Sequence, residues 1–381
     1  MRSGEPLILL GGGSNVVIAD RGIASLVVAI ATRGIDVHPS PTGAEVTSAA
    51  GEPWDAFVAH TLSLGLAGLE CLSGIPGQVG ATPIQNVGAY GQEVADTVVR
   101  VRALDRHSNE VVELGAEDCA FRYRDSAFKS RWPGRFVVLS VTFSLRAGAP
   151  TIPAYRELEG AIAKLGHPPS LADVRGTIVG LRRAKGMVFD LDDPDARSAG
   201  SFFTNPLLDA SAFASLRAAV PADVAIPTFP AESGVTKVPA AWLIERAGFR
   251  KGHRRGRVAI SSKHALALTN TGGATADEIV SLAREIRDGV RDRLGVTLHP
   301  EPVFVGFEHD PMIGLGQHIA FESLVSKANE HEGGRQEGLD SGNCQISSFP
   351  IFPASCEAIR DSSCSVFQAL TQKRRASRRG A

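Results

Sequence analysis

The chain has 381 residues, of which 43% are hydrophobic and 21% are charged, as is typical of a soluble globular protein of about two to three domains. Forty basic and 41 acidic residues leave a net charge of −1, so no overall field draws the chain to nucleic acid or anionic lipid. No apolar run approaches the ~20 residues of a membrane span, and the opening MRSGEPLILLGGG is too short and too glycine-rich for a signal peptide, which predicts a cytoplasmic protein without membrane insertion.

The first half of the chain is predicted to be rich in strands. Continuous apolar runs at residues 7–10 and 26–30 are typical of strands that are buried on both faces. Apolar and polar residues alternate at 99–103 and at 139–145, which is the pattern of half-buried strands. Residues 52–64 are the strongest early candidate for a helix.

Helical patterns become clearer after residue 150. Ser170 with Asp173, and Thr275 with Glu278, have the spacing of capping boxes, and apolar residues follow each pair at helical intervals. Gly295 is expected to end the second of these helices. The mixture of strands and helices predicts an α+β fold.

The last predicted elements are a helix between Pro239 and Gly248 and a strand at residues 302–306. Composition then changes, because the segment 307–381 is rich in Ser, Gly and Cys and has no sustained period. It ends in a basic cluster at residues 373–379. We predict that this tail is a disordered, solvated end; the alternative is a small contact with an anionic partner.

Two glycine-rich segments with few charges, residues 9–20 and 68–93, lie next to apolar, strand-like runs. Backbone N–H groups in such loops can surround phosphates, and glycine allows a ligand to approach closely. The first segment lacks the Lys-Ser/Thr ending of a P-loop and the GxGxxG spacing with a downstream acid of a Rossmann site. A nucleotide or flavin cofactor is therefore the first hypothesis.

Three later segments combine unusual residue types: FRYRDSAFK, AGSFFTNP and HPEPVFVG. Each contains one residue suited to proton or carboxylate chemistry, namely Arg124, Ser201 and Glu301. Taken singly, these three are equally well explained as a surface ion pair, a turn residue and a solvated loop acid.

The five cysteines are an odd number and include no CxxC pair. This pattern argues against a disulfide framework and against a zinc site, so no metal is expected.

Taken together, the motifs resemble those of the UDP-N-acetylenolpyruvoylglucosamine reductases of bacterial cell-wall synthesis. The resemblance rests on six motifs in the order of that family, running from about residue 7 to residue 306: LGGGSN, LSGIPGQVGATPIQNVGAYGQE, YRDSAFK, GSFFTNP, AAWLIERAG and EPVFVG. Tyr155 in PAYREL resembles the longer subtype, and RRAKGMVFD before SAGSFFTNP resembles the actinobacterial branch.

The resemblance implies an FAD-binding fold of the vanillyl-alcohol oxidase (PCMH) type with a smaller α/β substrate-binding domain. The corresponding boundaries are 1–195 for the flavin region, 196–306 for the substrate domain and 307–381 for a tail without a counterpart in the family. Family members carry a strand–helix–strand unit before LGGGSN, and this loop begins ten residues from Met1, so we expect a shortened first flavin subdomain.

The resemblance also implies a reaction. NADPH reduces FAD and leaves, and UDP-N-acetylglucosamine enolpyruvate then takes its place and is reduced to UDP-N-acetylmuramate. Arg124 would hold the substrate carboxylate, Glu301 would be protonated and would hydrogen-bond the developing enolate, and Ser201 would deliver a proton to C2.

The remaining site residues are implied in the same way. The flavin contacts are Gly11, Gly12, Gly13, Ser14, Asn15, Ser73, Gly74, Pro76, Gly77, Gly80, Gln85, Asn86, Gly88, Ala89, Tyr90 and Gly91. The contacts to the uridine diphosphate are Tyr155, Lys185 and Asn205, with Arg182 and His264 as further candidates.

Two other functions stay open at this stage. One is a flavin oxidase of the same fold acting on an alcohol or a sugar, although residues 1–20 contain no His or Cys to tether FAD. The other is an inactive relic that binds a UDP-sugar without FAD.

Overall fold

The computed structural model describes residues 7–229, 231 and 234–313. The chain divides into two units, Met1–Phe321 and Glu322–Ala381, and the second lies outside the described residues. The predictions for the tail from residue 314 onwards, including its disorder and its basic cluster, also fall outside them.

The regular elements alternate between short strands and helices. The strands are β1 Leu7–Leu10, β2 Val16–Ile18, β3 Leu26–Ala29, β4 Ile35–Ser40, β5 Gly43–Ala49, β6 Leu66–Ala67, β7 Gly88–Ala89, β8 Gln92–Glu93, β9 Val98–Asp105, β10 Glu110–Gly115, β11 Phe136–Ala147, β12 Ser198–Ser201, β13 Leu207–Leu208, β14 Thr236–Lys237, β15 Arg254–Arg255, β16 Val258–Ile260, β17 Ala267–Asn270 and β18 Val303–Val305. The helices are α1 Trp54–Ser63, α2 Ala116–Cys119, α3 Ala127–Ser130, α4 Arg156–Ile162, α5 Leu171–Ala184, α6 Ala210–Ala219, α7 Ala240–Arg246 and α8 Ala276–Leu294.

An antiparallel sheet of six strands supports the first half of the chain. Its order is β10-β9-β11-β5-β4, with β6 also paired to β11. The predicted alternation in β11 is present, and Val141, Phe143 and Leu145 face the core. A register shift between Val138 and Ser140 changes the phase, so that Val138 is buried as well. The rings of α1 pack on this face, and Phe57 lies 5.2 Å from Phe143 between ring centroids.

A second core lies in the later part of the chain. The sheet β12-β17-β16-β15 and the helices α6, α7 and α8 surround it. Both predicted capping boxes are present, at Ser170 with Asp173 and at Thr275 with Glu278, and Gly295 ends α8 in the left-handed conformation.

The two halves meet where β18 pairs in parallel with β2. Val17 of β2 belongs to the second core, although it directly follows the first glycine-rich loop. This pairing brings the EPVFVG motif beside the LGGGSN motif, and the Val303 N–H donates to the Asn15 carbonyl over 3.0 Å.

The prediction that residues 7–10 and 26–30 are buried on both faces is wrong. The strands β1 and β3 exist, but in the described part of the chain they pair only with each other, in parallel. Leu26 is 53% exposed, and β1 is half-buried throughout. An apolar run reports the character of the side chains and not whether a neighbouring layer covers them.

Packing continues beyond Gly306, the predicted start of the tail. Phe307 packs against the second core, and Met312 is 4% exposed within it. The Arg284 side chain of α8 donates to the Pro311 carbonyl over 2.5 Å. Residues 307–313 are therefore part of the folded unit.

Two helix-interior glycines provide a matched test of this packing. A Cβ on Gly289 in α8 would lie 2.6 Å from Cε2 of the buried Phe249 ring, whereas a Cβ on Gly180 in α5 would meet nothing within 4 Å. We expect Gly289→Ala to lower the free energy of unfolding by about 1–3 kcal/mol through overpacking. Gly180→Ala should raise it by about 0.5–1 kcal/mol, because alanine favours the helix. Urea denaturation measures both, and equal shifts of the two variants would contradict the packing of α8 on Phe249.

Candidate active site

The two glycine-rich segments lie directly against each other. A Cβ on Gly12 would be 3.0 Å from the Gly77 Cα, so side chains at these positions would push the loops apart. The Ser14 hydroxyl donates to the Pro76 carbonyl over 3.3 Å. The two loops therefore lie side by side, and the region that they border, called the cleft below, has the glycine-rich backbone that suits phosphate binding.

Two buried polar atoms in the described residues have no hydrogen-bond partner, and both adjoin these loops. They are Oε1 of Gln78 and Nε of Arg182. The Gln78 Oε1 would be 3.2 Å from a Cβ on Gly11, and the Arg182 Nε would be 3.4 Å from a Cβ on Gly74. Buried polar atoms normally have partners, so an acceptor and a cationic donor aimed at the glycine loops fit a polar cofactor there.

The Gly74 end of the cleft is held by α1 and α5. Asp55 of α1 accepts from the Gly74 N–H over 2.5 Å and from both terminal nitrogens of Arg175 of α5. Burial raises the pKa of Asp55, but the Arg175 hydrogen bonds and the Gly74 N–H outweigh it and hold the pKa below its usual value. This ionised carboxylate fixes the direction of the Gly74 peptide.

A tight hairpin forms the next wall of the cleft. Its strands β7 and β8 are joined by Tyr90 and Gly91, whose φ angles are +52° and +84°. Positive φ at both positions is typical of the type I′ turn of two-residue hairpins. The Gly88 carbonyl in β7 accepts from Nη2 of Arg124 over 2.6 Å. This bond orients the guanidinium predicted to bind a carboxylate.

Arg124 and Glu301 meet in this cleft, although they come from opposite ends of the fold. Nε of Arg124 lies 3.3 Å from Oε1 of Glu301, and their side chains are 20% and 13% exposed. Burial raises the pKa of Glu301, while the charges of Arg124 and Lys129 oppose this shift. A carboxyl group in these surroundings is protonated more readily than usual.

The first glycine loop also reaches Glu301. The Asn15 side-chain amide donates to Gln85 Oε1 over 2.9 Å and to the Glu301 carbonyl over 3.3 Å. Asn15 therefore links both glycine-rich segments to the backbone of the predicted acid.

Ser201 lies at the end of β12, beside the backbone of Glu301. The next residue, Phe202, accepts a hydrogen bond from the Glu301 N–H over 2.9 Å, and its own N–H donates to the Leu266 carbonyl. These backbone contacts bring the segment of the predicted proton donor beside the segment of the predicted acid.

A second cluster combines cations and aromatic rings. Nζ of Lys185 lies 5.4 Å from the Tyr90 ring centroid and 2.5 Å from Oε2 of Glu157. The Tyr155 ring meets Tyr90 edge-on at 5.4 Å. Three predicted residues from separate segments are thereby brought together.

His264 lies close enough to this cluster for the charge of Lys185 to affect its pKa. Burial lowers the pKa of His264 to about 4, and the charges of Lys185 and Lys251 act in the same direction. A neutral imidazole beside several cations is suited to a bound anion, whose charge would offset theirs.

Three of the predicted residues use their side chains within the fold. The Ser73 hydroxyl donates to the Glu70 carbonyl, and the Asn86 amide contacts Glu93, Arg122 and Ala95. Oδ1 of Asn205 accepts from the Ala240 N–H at the start of α7, over 2.8 Å. For Ser73 and Asn86 this leaves mainly their backbone atoms for a ligand.

The motifs left several neighbours of this cleft unassigned. Nζ of Lys237 lies 4.5 Å from the centroid of the Tyr123 ring, and the Tyr123 hydroxyl accepts from the Asn205 N–H. Phe229 stacks on Tyr155 with ring centroids 6.3 Å apart. Tyr123 directly precedes Arg124 in its motif, whereas no local pattern in the sequence marks Lys237 or Phe229.

Within the described residues, no group of three or more His, Cys, Asp or Glu side chains is arranged to hold a metal ion. None of the helices described here combines the length and the apolar character that crossing a membrane requires. Cys71 and Cys119 are free and buried, and burial raises the pKa of each thiol to about 12.

Two family models match the chain. The model of an FAD binding domain matches residues 2–115, and that of the C-terminal domain of UDP-N-acetylenolpyruvoylglucosamine reductase matches residues 192–305. The first match confirms the prediction of FAD as cofactor.

Similar proteins carry the same family name. The UDP-N-acetylenolpyruvoylglucosamine reductase of Streptomyces avermitilis is 51% identical over 313 residues, which are 80% of this chain and 85% of that protein. The reductase of Thermobifida fusca is 49% identical over 312 residues, covering 80% and 87%. The crystal structure of the Thermus caldophilus reductase is similar with a TM-score of 0.51 and 23% identity, covering 80% of this chain and 86% of that one. These similarities confirm the predicted family and fold class.

The low pKa of His264 predicts a pH-dependent contribution to stability. In the unfolded chain a histidine takes up its proton below about pH 6.5, whereas His264 in the folded chain does so only near pH 4. Its contribution is therefore complete above about pH 6.5 and is lost as the pH falls towards 4. Between pH 6.5 and 4, the free energy of unfolding of His264→Gln should therefore fall by about 1–3 kcal/mol less than that of the wild type.

Urea denaturation at several pH values measures this effect, with His38→Gln on the exposed strand β4 as the control. An unchanged slope in His264→Gln would contradict the described burial of the ring.

Proposed function

The chain belongs to the UDP-N-acetylenolpyruvoylglucosamine reductase family, and we propose that it reduces UDP-N-acetylglucosamine enolpyruvate to UDP-N-acetylmuramate in the cytoplasm, with FAD as cofactor and NADPH as electron donor. The observation that carries the proposal is the contact between Arg124 and Glu301, 3.3 Å apart beside the glycine loops. A half-buried cation next to a readily protonated acid suits a substrate that carries a carboxylate and becomes an enolate.

The glycine loops, Asn15 and the Gly74 segment would hold the cofactor. Bound FAD, after reduction by NADPH, would supply the hydride that adds to C3 of the enolpyruvyl group. The task of the protein is then to bind the substrate carboxylate, to stabilise negative charge that develops at C2 and spreads onto that carboxylate, and to add one proton at C2.

Arg124 is suited to the first task. Its guanidinium remains charged and offers two parallel donors to a carboxylate. In the described structure Gly88 and Glu301 hold its side chain from two sides. A substrate carboxylate that takes over the guanidinium also neutralises the charge that favours ionised Glu301.

Glu301 is suited to the second task, the stabilisation of negative charge, because Arg124 passes from Glu301 to the substrate carboxylate. Burial already raises its pKa, and the Arg124 charge is the larger of the two opposing influences. Engagement of Arg124 by the substrate would therefore raise the pKa of Glu301 further. The protonated acid then donates a hydrogen bond to the developing enolate.

Ser201 is proposed to deliver the proton to C2. A hydroxyl is a weak acid, but a carbanion-like centre is basic enough to take its proton. Support comes from its position beside Phe202, whose carbonyl binds the Glu301 N–H. This backbone bond supports a location of Ser201 close to the acid.

The diphosphate of the substrate is proposed to bind between Lys185, Tyr155 and His264. Lys185 provides a mobile charge, and neutral His264 provides a donor that needs no counter-charge of its own. Lys185 forms an ion pair with Glu157 in the described structure, so a bound diphosphate would compete with the Glu157 carboxylate for the lysine charge.

The decisive experiment separates the two half-reactions. The purified protein should be yellow, and anaerobic NADPH should bleach the flavin absorbance in a stopped-flow instrument. Mixing with the enolpyruvyl UDP-sugar should then restore the absorbance with formation of UDP-N-acetylmuramate. A colourless protein that cannot be reconstituted supports the inactive relic, and oxygen uptake with alcohols or sugars in place of this reaction supports the oxidase.

Ser201→Ala should leave flavin reduction by NADPH intact and slow the second half-reaction by about 10²–10⁴-fold, the range for loss of a general acid. Stopped-flow traces of both half-reactions measure the effect. Equal slowing of the two would mean that Ser201 has a structural role.

Glu157→Gln should strengthen binding of UDP, because the competing carboxylate of the Lys185 ion pair is removed. Both partners are partly exposed, so we expect only about two- to five-fold, equivalent to ~0.5–1 kcal/mol. Isothermal titration with UDP measures the change, and Glu159→Gln on the exposed side of α4 is the matched control. Weaker binding in Glu157→Gln would show that Glu157 supports the site and does not compete with the ligand.

A further inference from the structure

Arg124 has an unfavourable backbone conformation. Its φ is +54°, in the left-handed region that side chains other than glycine rarely adopt. The Arg122 N–H donates to the Asp125 carbonyl and the Asp125 N–H returns the bond to Arg122, over 3.0 and 3.1 Å. Arg124 is thus the second of two residues in a tight turn, and such strain persists only where the surroundings enforce it.

Several contacts enforce this turn from its two ends. The Asn86 side chain donates to the Arg122 carbonyl over 3.0 Å, and the Ser126 hydroxyl donates to the Ile84 carbonyl over 2.6 Å. Neither of these bonds involves the peptide of Arg124 itself.

Lys129 binds the strained residue directly. Its Nζ donates to the Arg124 carbonyl over 3.0 Å, reaching back from α3 across five residues. α3 is a short helix that starts immediately after Ser126, so the lysine stands at a fixed distance from the turn. The peptide that Lys129 holds is the one from which the guanidinium extends to Gly88 and Glu301.

We propose that Lys129 is a positioning residue, which binds the Arg124 carbonyl, keeps the 122–125 turn in its strained form and thereby aims the guanidinium at the substrate carboxylate. This inference rests on the proposed function of Arg124. It predicts that Lys129 contributes to the rate of the second half-reaction only when residue 124 carries a guanidinium. A lysine that itself bound the substrate would contribute independently of Arg124.

A double-mutant cycle distinguishes the two roles. The holoenzymes compared are wild type, Lys129→Met, Arg124→Lys and the double variant, and the rate measured is that of the second half-reaction. Lys129→Met should lower this rate by about 10–100-fold, the cost of a misplaced catalytic group. In the Arg124→Lys background the same change should cost less than about three-fold, because coupled residues are not additive. If the loss of rate in the double variant equals the product of the two single losses, the proposal is wrong. An unchanged rate in Lys129→Met would also overturn it.

Binding provides a second readout that does not depend on turnover. Lys129→Met should weaken binding of UDP-N-acetylmuramate, which carries a carboxylate, by about ten-fold, and should leave the Kd of UDP unchanged. Equal weakening of both ligands would indicate a general disturbance of the site and would overturn the proposal. Lys129→Arg, which retains a cationic donor, should restore most of the affinity.

Controls separate this inference from folding and from the proposed function. FAD content and the rate of flavin reduction by NADPH should stay within about two-fold of wild type in Lys129→Met, because neither depends on the direction of the Arg124 guanidinium. Arg131→Met, at the end of the same helix, should change none of these values. Wild-type protein that binds UDP and UDP-N-acetylmuramate equally well would overturn the role of Arg124 and this inference with it, whereas additive losses in an active enzyme would overturn this inference alone.

Discussion

The contact between Arg124 and Glu301 is the interaction on which the rest of the site depends. One partner lies in a strained turn between β10 and β11 of the first sheet, and the other precedes the final strand β18. They meet because β18 pairs with β2, directly after the first glycine loop. The same pairing therefore brings the first glycine loop close to the two residues that we propose to act in catalysis.

The electrostatic balance of this pair also suits the chemistry. A partly buried ion pair contributes little to stability, because desolvation of both charges opposes their attraction. Burial here favours protonated Glu301, and Arg124 and Lys129 favour the ionised form. The acid is thus held between two states, and whatever engages the guanidinium decides between them. In the proposed reaction, such a balance would give the substrate carboxylate control over the acid that is proposed to stabilise its own enolate.

Much of the fold and of the site could be predicted from the sequence, wherever the information was local. The capping boxes at Ser170 and Thr275 depend on residues three positions apart, and the structure has both. The burial of β1 and β3 was predicted wrongly, because a neighbouring layer is not encoded in the run that it would cover. Lys237 was missed for the same reason: its position over the Tyr123 ring results from two distant segments that meet only in the folded chain. Whether the predicted residues contact ligands as the motifs imply stays a prediction.

The two clusters of the site are suited to different parts of the proposed reaction. NADPH and the UDP-sugar both contain a nucleoside diphosphate, so the cations around Lys185 and His264 have no basis for distinguishing them. Only the UDP-sugar carries a carboxylate for Arg124. The substrate carboxylate therefore offers one basis for selection at the Arg124 end of the cleft, where the guanidinium is held by the Gly88 carbonyl and by Glu301. In the proposed reaction, a diphosphate cluster that accepts both ligands, next to a guanidinium that accepts one, would allow a single cleft to serve two successive half-reactions.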